Sequence, residues 1–453
     1  MTRPPVPGGP YLVAGLARSG VAAALALRAA DPGAVIVACD SGEPREAAEA
    51  EGRLRAAGVE VHLNTDGMQL LAAESRPRAL VKSPGVPARA PLVARARELD
   101  LHVLGELELG WRLLPNEFCA VTGTNGKTTT TELIGAIHRA AGVPVEVAGN
   151  VGTPVSALAG TADPAALVAC ETSSFQLEDA TAFAPETAVF LNFSEDHLDR
   201  HATLDEYLAA KLRVFAHQPE SAVAVLNAAE PALQGAPLGR ARQIWFGADP
   251  RCELRLHGSR LEWRGEALME ADEVGIRGPH NLENAMAAAA ATLARDVDRD
   301  SVREGLRSFG GVPHRLELVA EVAGVKYVND SKATNVTAAA AALRSFEGVH
   351  AIFGGSLKGG GFEPLAATVG EHCRACYLIG EAQERLAEDL AEAGVALHRC
   401  GDLERAVSAA ASNARPGEVV LLAPACASFD QYEDYVARGE HFRDLVAALR
   451  ERA

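Results

Sequence analysis

Val121-Thr122-Gly123-Thr124-Asn125-Gly126-Lys127-Thr128-Thr129 lies between an apolar stretch with strand character and a helical one. Glycines at 123 and 126 let consecutive backbone N–H groups turn toward one point, and the helix that follows adds the positive end of its dipole. The ammonium of Lys127 completes a cradle for the β/γ-phosphates of a nucleotide, and Thr128 is placed to hold Mg²⁺. The strict spacing G-x-x-x-x-G-K-[ST] would put glycine at Val121, so this is a variant phosphate loop with its other glycine at Gly123. A merely structural glycine turn is the competing reading. The strand before and the helix after favour the phosphate loop. Gly123, Thr124, Asn125, Gly126, Lys127, Thr128 and Thr129 are therefore read as ATP-binding.

A metal ion bridging phosphates needs hard oxygen ligands, and the next apolar run, 167–170, leads into Glu171. Glu171-Thr172-Ser173-Ser174-Phe175-Gln176 is too polar to continue a buried strand and reads as a loop at the sheet's ligand-binding edge. The run 188–191 then delivers Asn192-Phe193-Ser194-Glu195-Asp196-His197-Leu198-Asp199 to the same edge. A lone histidine in such a loop is commonly a structural hydrogen-bonding group, but three acids and a histidine beside a phosphate loop suggest a second metal position. Lys211 falls in a helical stretch where composition alone predicts a snorkelling surface lysine.

Upstream, strand-like runs at 11–14, 35–39, 59–62 and 79–82 alternate with Ala/Leu-rich helical stretches, the pattern of a doubly wound parallel sheet. A second series runs from 118 to 226. A third (325–328, 351–353, 376–379, 419–422) follows Gly310-Gly311-Val312-Pro313. The reading is α/β with three domains: a Rossmann-like N-terminal domain at 1–105, a central phosphate-loop ATPase-type parallel sheet at 106–311, and a Rossmann-like C-terminal domain at 312–453. Gly15-Leu16-Ala17-Arg18-Ser19-Gly20, with Asp40 closing the second strand, is like a dinucleotide fingerprint, but the Ala17 methyl would crowd a pyrophosphate. A tight turn with a capping Asp explains it nearly as well. Ser83-Pro84-Gly85 ends another strand and could line the same crevice.

Of 453 residues, 43 are Lys or Arg and 60 Asp or Glu, a net charge of -17 that repels nucleic acid and anionic lipid. No apolar run approaches the ~18 residues of a membrane span, and the N-terminus lacks a signal-peptide core, so a cytoplasmic protein is expected. The eight scattered cysteines read as reduced thiols. The isolated Cys373/Cys376 pair has no partners for a zinc set and reads as packing.

In chain order, the phosphate loop, Gly149-Asn150-Val151-Gly152, the blocks 171–178 and 192–200, Ala210-Lys211, His280-Asn281 with Asn284, His314-Arg315 and the block 329–335 resemble the Mur ligases over nearly the whole chain. Asn329-Asp330-Ser331-Lys332-Ala333-Thr334-Asn335, Pro424-Ala425-Cys426-Ala427-Ser428-Phe429-Asp430-Gln431 and Arg438-Gly439 point to the D-glutamate-adding branch. The diamino-acid branch's Asp-Asn-Pro-Arg is absent from the sequence.

The resemblance implies amide formation through an acyl phosphate, from ATP, UDP-N-acetylmuramoyl-L-alanine and D-glutamate, in peptidoglycan precursor synthesis by a monomer. It implies two Mg²⁺ sites with Thr128, Glu171, His197 and a carbamylated Lys211 as metal residues, and Lys127, Glu171, His197 and Lys211 as catalytic. It places Asn281 and Asn284 toward adenine, Asp330 toward ribose, Arg315 toward the γ-phosphate and Lys332 nearby. The UDP-sugar falls to Arg18, Ser19, Asp40, Ser41, Ser83, Pro84, Gly85 and Asn150, and D-glutamate to Thr334, Lys358, Ser428, Phe429 and Tyr435. Two departures bear on the amino acid: the 354–362 loop lacks the usual acid after its paired glycines, and Tyr435 stands where many relatives have Phe. Closure of the third domain on the second is expected during turnover. The competing readings are a sister or folylpolyglutamate-type ligase, an inactive nucleotide sensor, and a motor or kinase.

Overall fold

Three sheets organise the chain in a computed structural model, which describes residues 3–42, 45–72, 76–197, 200–357 and 361–452. The first has five parallel strands in the spatial order Val59–His62, Ile36–Cys39, Tyr11–Ala14, Ala79–Lys82 and His102–Gly105. The chain's first strand is central, so strand order reverses beside it, and the turn after Ala14 opens onto the resulting crevice.

The second sheet has nine strands: Glu266–Glu270, Arg260–Trp263, Leu254–His257, Arg242–Gly247, Val223–Asn227, Thr187–Phe190, Phe118–Thr122, Leu167–Glu171 and Val145–Gly149. The phosphate-loop strand Phe118–Thr122 is fully buried and flanked in parallel by Leu167–Glu171 and Thr187–Phe190. Such a strand, covered on both faces, is apolar throughout rather than alternating. Its two neighbours end at the same edge, which brings residues 171 and 191–192 beside the loop. Below that edge Trp111 and Phe118 each meet Phe183 edge-on in one continuous core.

In the third sheet the order is Glu317–Val322, Val325–Asn329, Val419–Leu422, Val349–Gly354, Cys373–Ile379 and Ala396–Gly401, parallel except for the first pair. Cys373 and Cys376 are both buried free thiols in this core. The chain forms two compact units, Met1–Val274 with Glu283–Ser308, and Gly275–Leu282 with Phe309–Ala453. The first two sheets thus share a unit and the third has its own.

Candidate active site

Strand Phe118–Thr122 ends in Gly123, whose φ of 147° and closeness to Leu191 leave little room for a side chain. The loop is latched to the next strand's exit. Thr124 N–H donates to the Asn192 carbonyl (2.9 Å), Asn125 N–H to Asn192 Oδ1 (2.9 Å), and Asn192 Nδ2 to the Asn125 carbonyl (3.2 Å). Gly126, at φ 85°, opens the helix Lys127–Ala140, and a Cβ there would collide with the Asn284 carboxamide. Asn284 Oδ1 also accepts from Thr130 Oγ1 (3.4 Å), so this side chain buttresses the loop from behind.

Lys127 Nζ donates to the carbonyls of Gly123 (3.0 Å) and Thr124 (2.8 Å), which holds its charge over the loop. Thr128 Oγ1 donates to Glu171 Oε2 (2.6 Å), and Asn150 Nδ2 to Glu171 Oε1 (3.0 Å). Asn150 is aimed by Gly149, where φ is 119° and any Cβ would sit on the Glu171 carbonyl. Three strand ends therefore converge on one carboxylate. Among the described residues the buried hydroxyl of Thr129 has no hydrogen-bond partner.

Composition misplaces Lys211. It is 1% exposed, and its Nζ donates to the Gly123 carbonyl (2.6 Å) from the helix Leu204–Leu212. The helix turns this residue inward with Tyr207, four positions earlier, whose ring lies 4.5 Å below the Nζ. Burial, reinforced by the charge of Lys127, drives the amine well below the usual lysine range, against the opposing pull of Asp196 and Glu171. His197, at φ 56°, stands 3.6 Å from Asp196 Oδ2, and its ring meets Phe175 and Tyr207 edge-on. A row His197, Tyr207, Lys211 thus leads to the loop. Leu198, Asp199 and the candidate Lys358 lie outside the described residues.

On the first sheet, Gly15 takes φ 84° and Asp40 closes the turn, accepting from Leu16 N–H (2.6 Å) and Gly42 N–H (2.9 Å). That is the capping role the sequence allowed. Arg18 and Ser41 are exposed, Ser19 is half-buried, and Ser83 is buried. Arg200 donates to the carbonyls of Pro84 (3.0 Å), Gly85 (3.1 Å) and Val86 (3.1 Å), which brings the 83–86 loop against the second sheet's 192–200 segment. Beneath it the buried Lys82 and Asp179 pair across the two sheets.

In the other unit, Asn281 Nδ2 donates to the Arg277 carbonyl (2.9 Å) at the start of its helix. Asp330 is buried beside Arg315 and Lys332; burial raises its carboxyl to about 6 against the pull of those cations. Lys332 Nζ lies 5.5 Å from the Tyr435 ring centre, and the buried Arg315 Nε has no hydrogen-bond partner among the described residues. Ser428 is buried, Thr334 half-buried, and Phe429 71% exposed. Sequence reasoning passed over Tyr207, Arg200 and the Lys82–Asp179 pair. Only Tyr207 left a signal, its i,i+4 spacing from Lys211.

The description Mur ligase middle domain matches residues 121–292, and Mur ligase, glutamate ligase domain matches 314–426. A UDP-N-acetylmuramoylalanine–D-glutamate ligase of Geobacter metallireducens is 42% identical, over 98% of each chain. Its counterpart from Acidobacterium capsulatum is 40% identical, over 98% of this chain and 97% of that one. The chain belongs to the Mur ligase family. Solved structures share the three-domain Mur ligase fold. UDP-N-acetylmuramate-alanine ligase of Thermotoga maritima superposes with a TM-score of 0.61 at 19% identity, over 97% of this chain and 99% of that one. A MurF ligase of the same organism, in complex with ADP, gives 0.58 at 18% identity, over 86% and 92%. In this Mur ligase the family's middle-domain match begins within the phosphate-loop strand and takes in Glu171, His197, Lys211, Asn281 and Asn284.

Proposed function

We propose that this Mur ligase joins D-glutamate to UDP-N-acetylmuramoyl-L-alanine, with ATP converted to ADP and phosphate. The observation that carries the reading is the convergence of Lys127, Thr128, Glu171 and the buried Lys211 on one phosphate loop, in a chain about 40% identical over its whole length to D-glutamate ligases.

Thr128 and Glu171 offer a hydroxyl and a carboxylate 2.6 Å apart at a helix N-terminus, a hard-oxygen pair that suits Mg²⁺. Among the described residues no group of three or more His, Cys, Asp or Glu stands ready for a metal, in keeping with a site completed by the nucleotide's own oxygens. When bound, Mg²⁺ would offset the charge that develops on phosphate oxygens in both transfers. His197 is the candidate for a second position.

Lys127 leaves its carbonyls for the β/γ-phosphates, and the first turn of Lys127–Ala140 supplies backbone donors. Held in line, the substrate's carboxylate oxygen attacks the γ-phosphorus and ADP leaves. The glutamate amine then attacks the acyl carbon, its proton passes to solvent or a base, and the tetrahedral intermediate expels phosphate. Lys211, whose amine burial drives well below the usual lysine range, is suited to carbamylation. Its nitrogen attacks the carbon of CO₂ and a proton departs, so a donor becomes an acceptor-only oxygen ligand beside the cradle. On the first sheet, Arg18, Ser19, Asp40, Ser41 and the 83–85 loop are assigned to the UDP-sugar, with Asn150 of the second sheet. To the second unit belong Asn281, Arg315, Asp330 and Lys332 for the nucleotide, and Thr334, Lys358, Ser428, Phe429 and Tyr435 for the amino acid. Asn284, packed against Gly126, serves the nucleotide through the loop.

The test uses substrate labelled with ¹⁸O in its terminal carboxylate. Acyl-phosphate chemistry moves one labelled oxygen into inorganic phosphate, read by mass spectrometry. Phosphate free of label, with product still formed, rejects this route.

A further inference from the structure

Arg438 is 1% exposed, yet among the described residues no carboxylate forms an ion pair with it. Its guanidinium instead reaches three loops at one edge of the third sheet. Nε donates to Ser331 Oγ (3.0 Å), and Nη2 to the carbonyls of Ser331 (2.9 Å) and Cys426 (3.1 Å). Nη1 donates to the carbonyls of Gly354 (3.3 Å) and Ala427 (3.2 Å). A guanidinium has five N–H donors in a fixed plane, and here five acceptors meet them.

The glycines around it follow from this packing. A Cβ on Gly355, at φ 140°, would lie 3.0 Å from Arg438 Nη1 and against the Ala427 carbonyl. A Cβ on Gly439 would enter the His314 ring, which donates no such room. Ser331 Oγ in turn donates to the Tyr435 carbonyl (2.8 Å), which ties the start of the helix Tyr435–Arg452 into the same knot.

Two of the loops so joined carry Thr334 and Ser428 with Phe429, and the third, 354–357, precedes Lys358 in the sequence. Burying an unpaired cation is costly, and a residue kept for stability alone would be better served by an apolar side chain of similar volume. A fork that fixes the ends of three parallel strands at a common edge gives what a small polar ligand requires, binding groups held in register by supports that do not touch it. We propose that Arg438 is a positioning residue for the amino-acid substrate, setting the mutual register of the 331–334, 354–357 and 426–429 loops. This rests on the assignment of those loops to the amino acid.

Arg438→Lys keeps the charge and loses the fork. Steady-state ADP release is measured for wild type and variant, with D-glutamate and UDP-N-acetylmuramoyl-L-alanine varied in turn and folding checked by near-UV circular dichroism. The expected result is a KM for D-glutamate raised about tenfold or more, with kcat lowered less than about threefold and the KM for the UDP substrate within about twofold. A purely structural role lowers Tm and the active fraction while leaving every KM in place, and that outcome overturns the proposal. Should Arg438→Lys fail to fold, Ser331→Ala, which removes the Nε acceptor, is expected to raise the same KM about threefold, and an unchanged KM overturns it. Wild type is assayed alongside: if D-glutamate does not stimulate it, the substrate assignment fails, and the variants are compared with whichever amino acid stimulates it most.

Discussion

Burial of the Lys211 amine on the Gly123 carbonyl sets a sign for its effect on stability. The ordinary value is 10.5 and the folded one lies well below it. Between the two, the unfolded chain takes up a proton that the folded chain refuses, so stability falls as pH drops through that window. Lys211→Met removes the linkage. With wild type held as the free amine in CO₂-free buffer, the Tm of the variant is expected to exceed that of wild type at pH 7, with the gap narrowing as pH rises toward 10, while ligation under ordinary conditions falls about a hundredfold or more. A gap that stays constant with pH means the amine is not held neutral. Lys211→Ala is expected to regain part of its activity with acetate or propionate, which can place a carboxylate where the proposed carbamate would stand, and equal activity in Lys211→Ala and wild type rejects the carbamate.

At the scale of elements, strand Ala79–Lys82 of the first sheet is tied to the turn after the helix Ser174–Leu177 by the buried Lys82–Asp179 pair. Lys82 also donates to the Val86 carbonyl (2.8 Å), directly behind the 83–85 loop. Among the described residues Lys82→Met leaves the buried Asp179 with Arg97, 3.8 Å away, as its one remaining ion-pair partner, and is expected to cost about 3–5 kcal/mol. Lys82→Met with Asp179→Leu is expected to recover most of that loss in a thermal double-mutant cycle. Additive losses would mean that the two side chains do not depend on each other. The strands legible in the sequence are those buried on both faces, such as Phe118–Thr122 and Val419–Leu422, whose apolar runs are continuous. Those missed include the run from Arg242–Gly247 to Glu266–Glu270 at one end of the second sheet. Arg260–Trp263 carries charge on alternate positions and Glu266–Glu270 at both ends, and their signal was the turn between them, where Arg264 (φ 52°) and Gly265 (φ 81°) form the left-handed pair of a tight hairpin.

Across the whole molecule, the chain's net charge of -17 opposes every phosphate-bearing substrate, so the proposed recognition rests on local donors. The phosphate loop was readable because glycine, lysine and threonine at fixed spacing have few other uses. Glu171 was readable because a charged residue ended an apolar run. Arg200 and Lys82 were not, since their partners are backbone carbonyls and a carboxylate brought near only by packing the first sheet against the second. Lys211 was read as exposed for the same reason: the composition of the helix Leu204–Leu212 does not say which face meets the loop. The most direct measurement of the central claim is ADP release with UDP-N-acetylmuramoyl-L-alanine, ATP and Mg²⁺ against a panel of D- and L-amino acids. The account predicts strong stimulation by D-glutamate and little by L-glutamate, L-lysine or diaminopimelate, and stimulation by another amino acid with none by D-glutamate would contradict it.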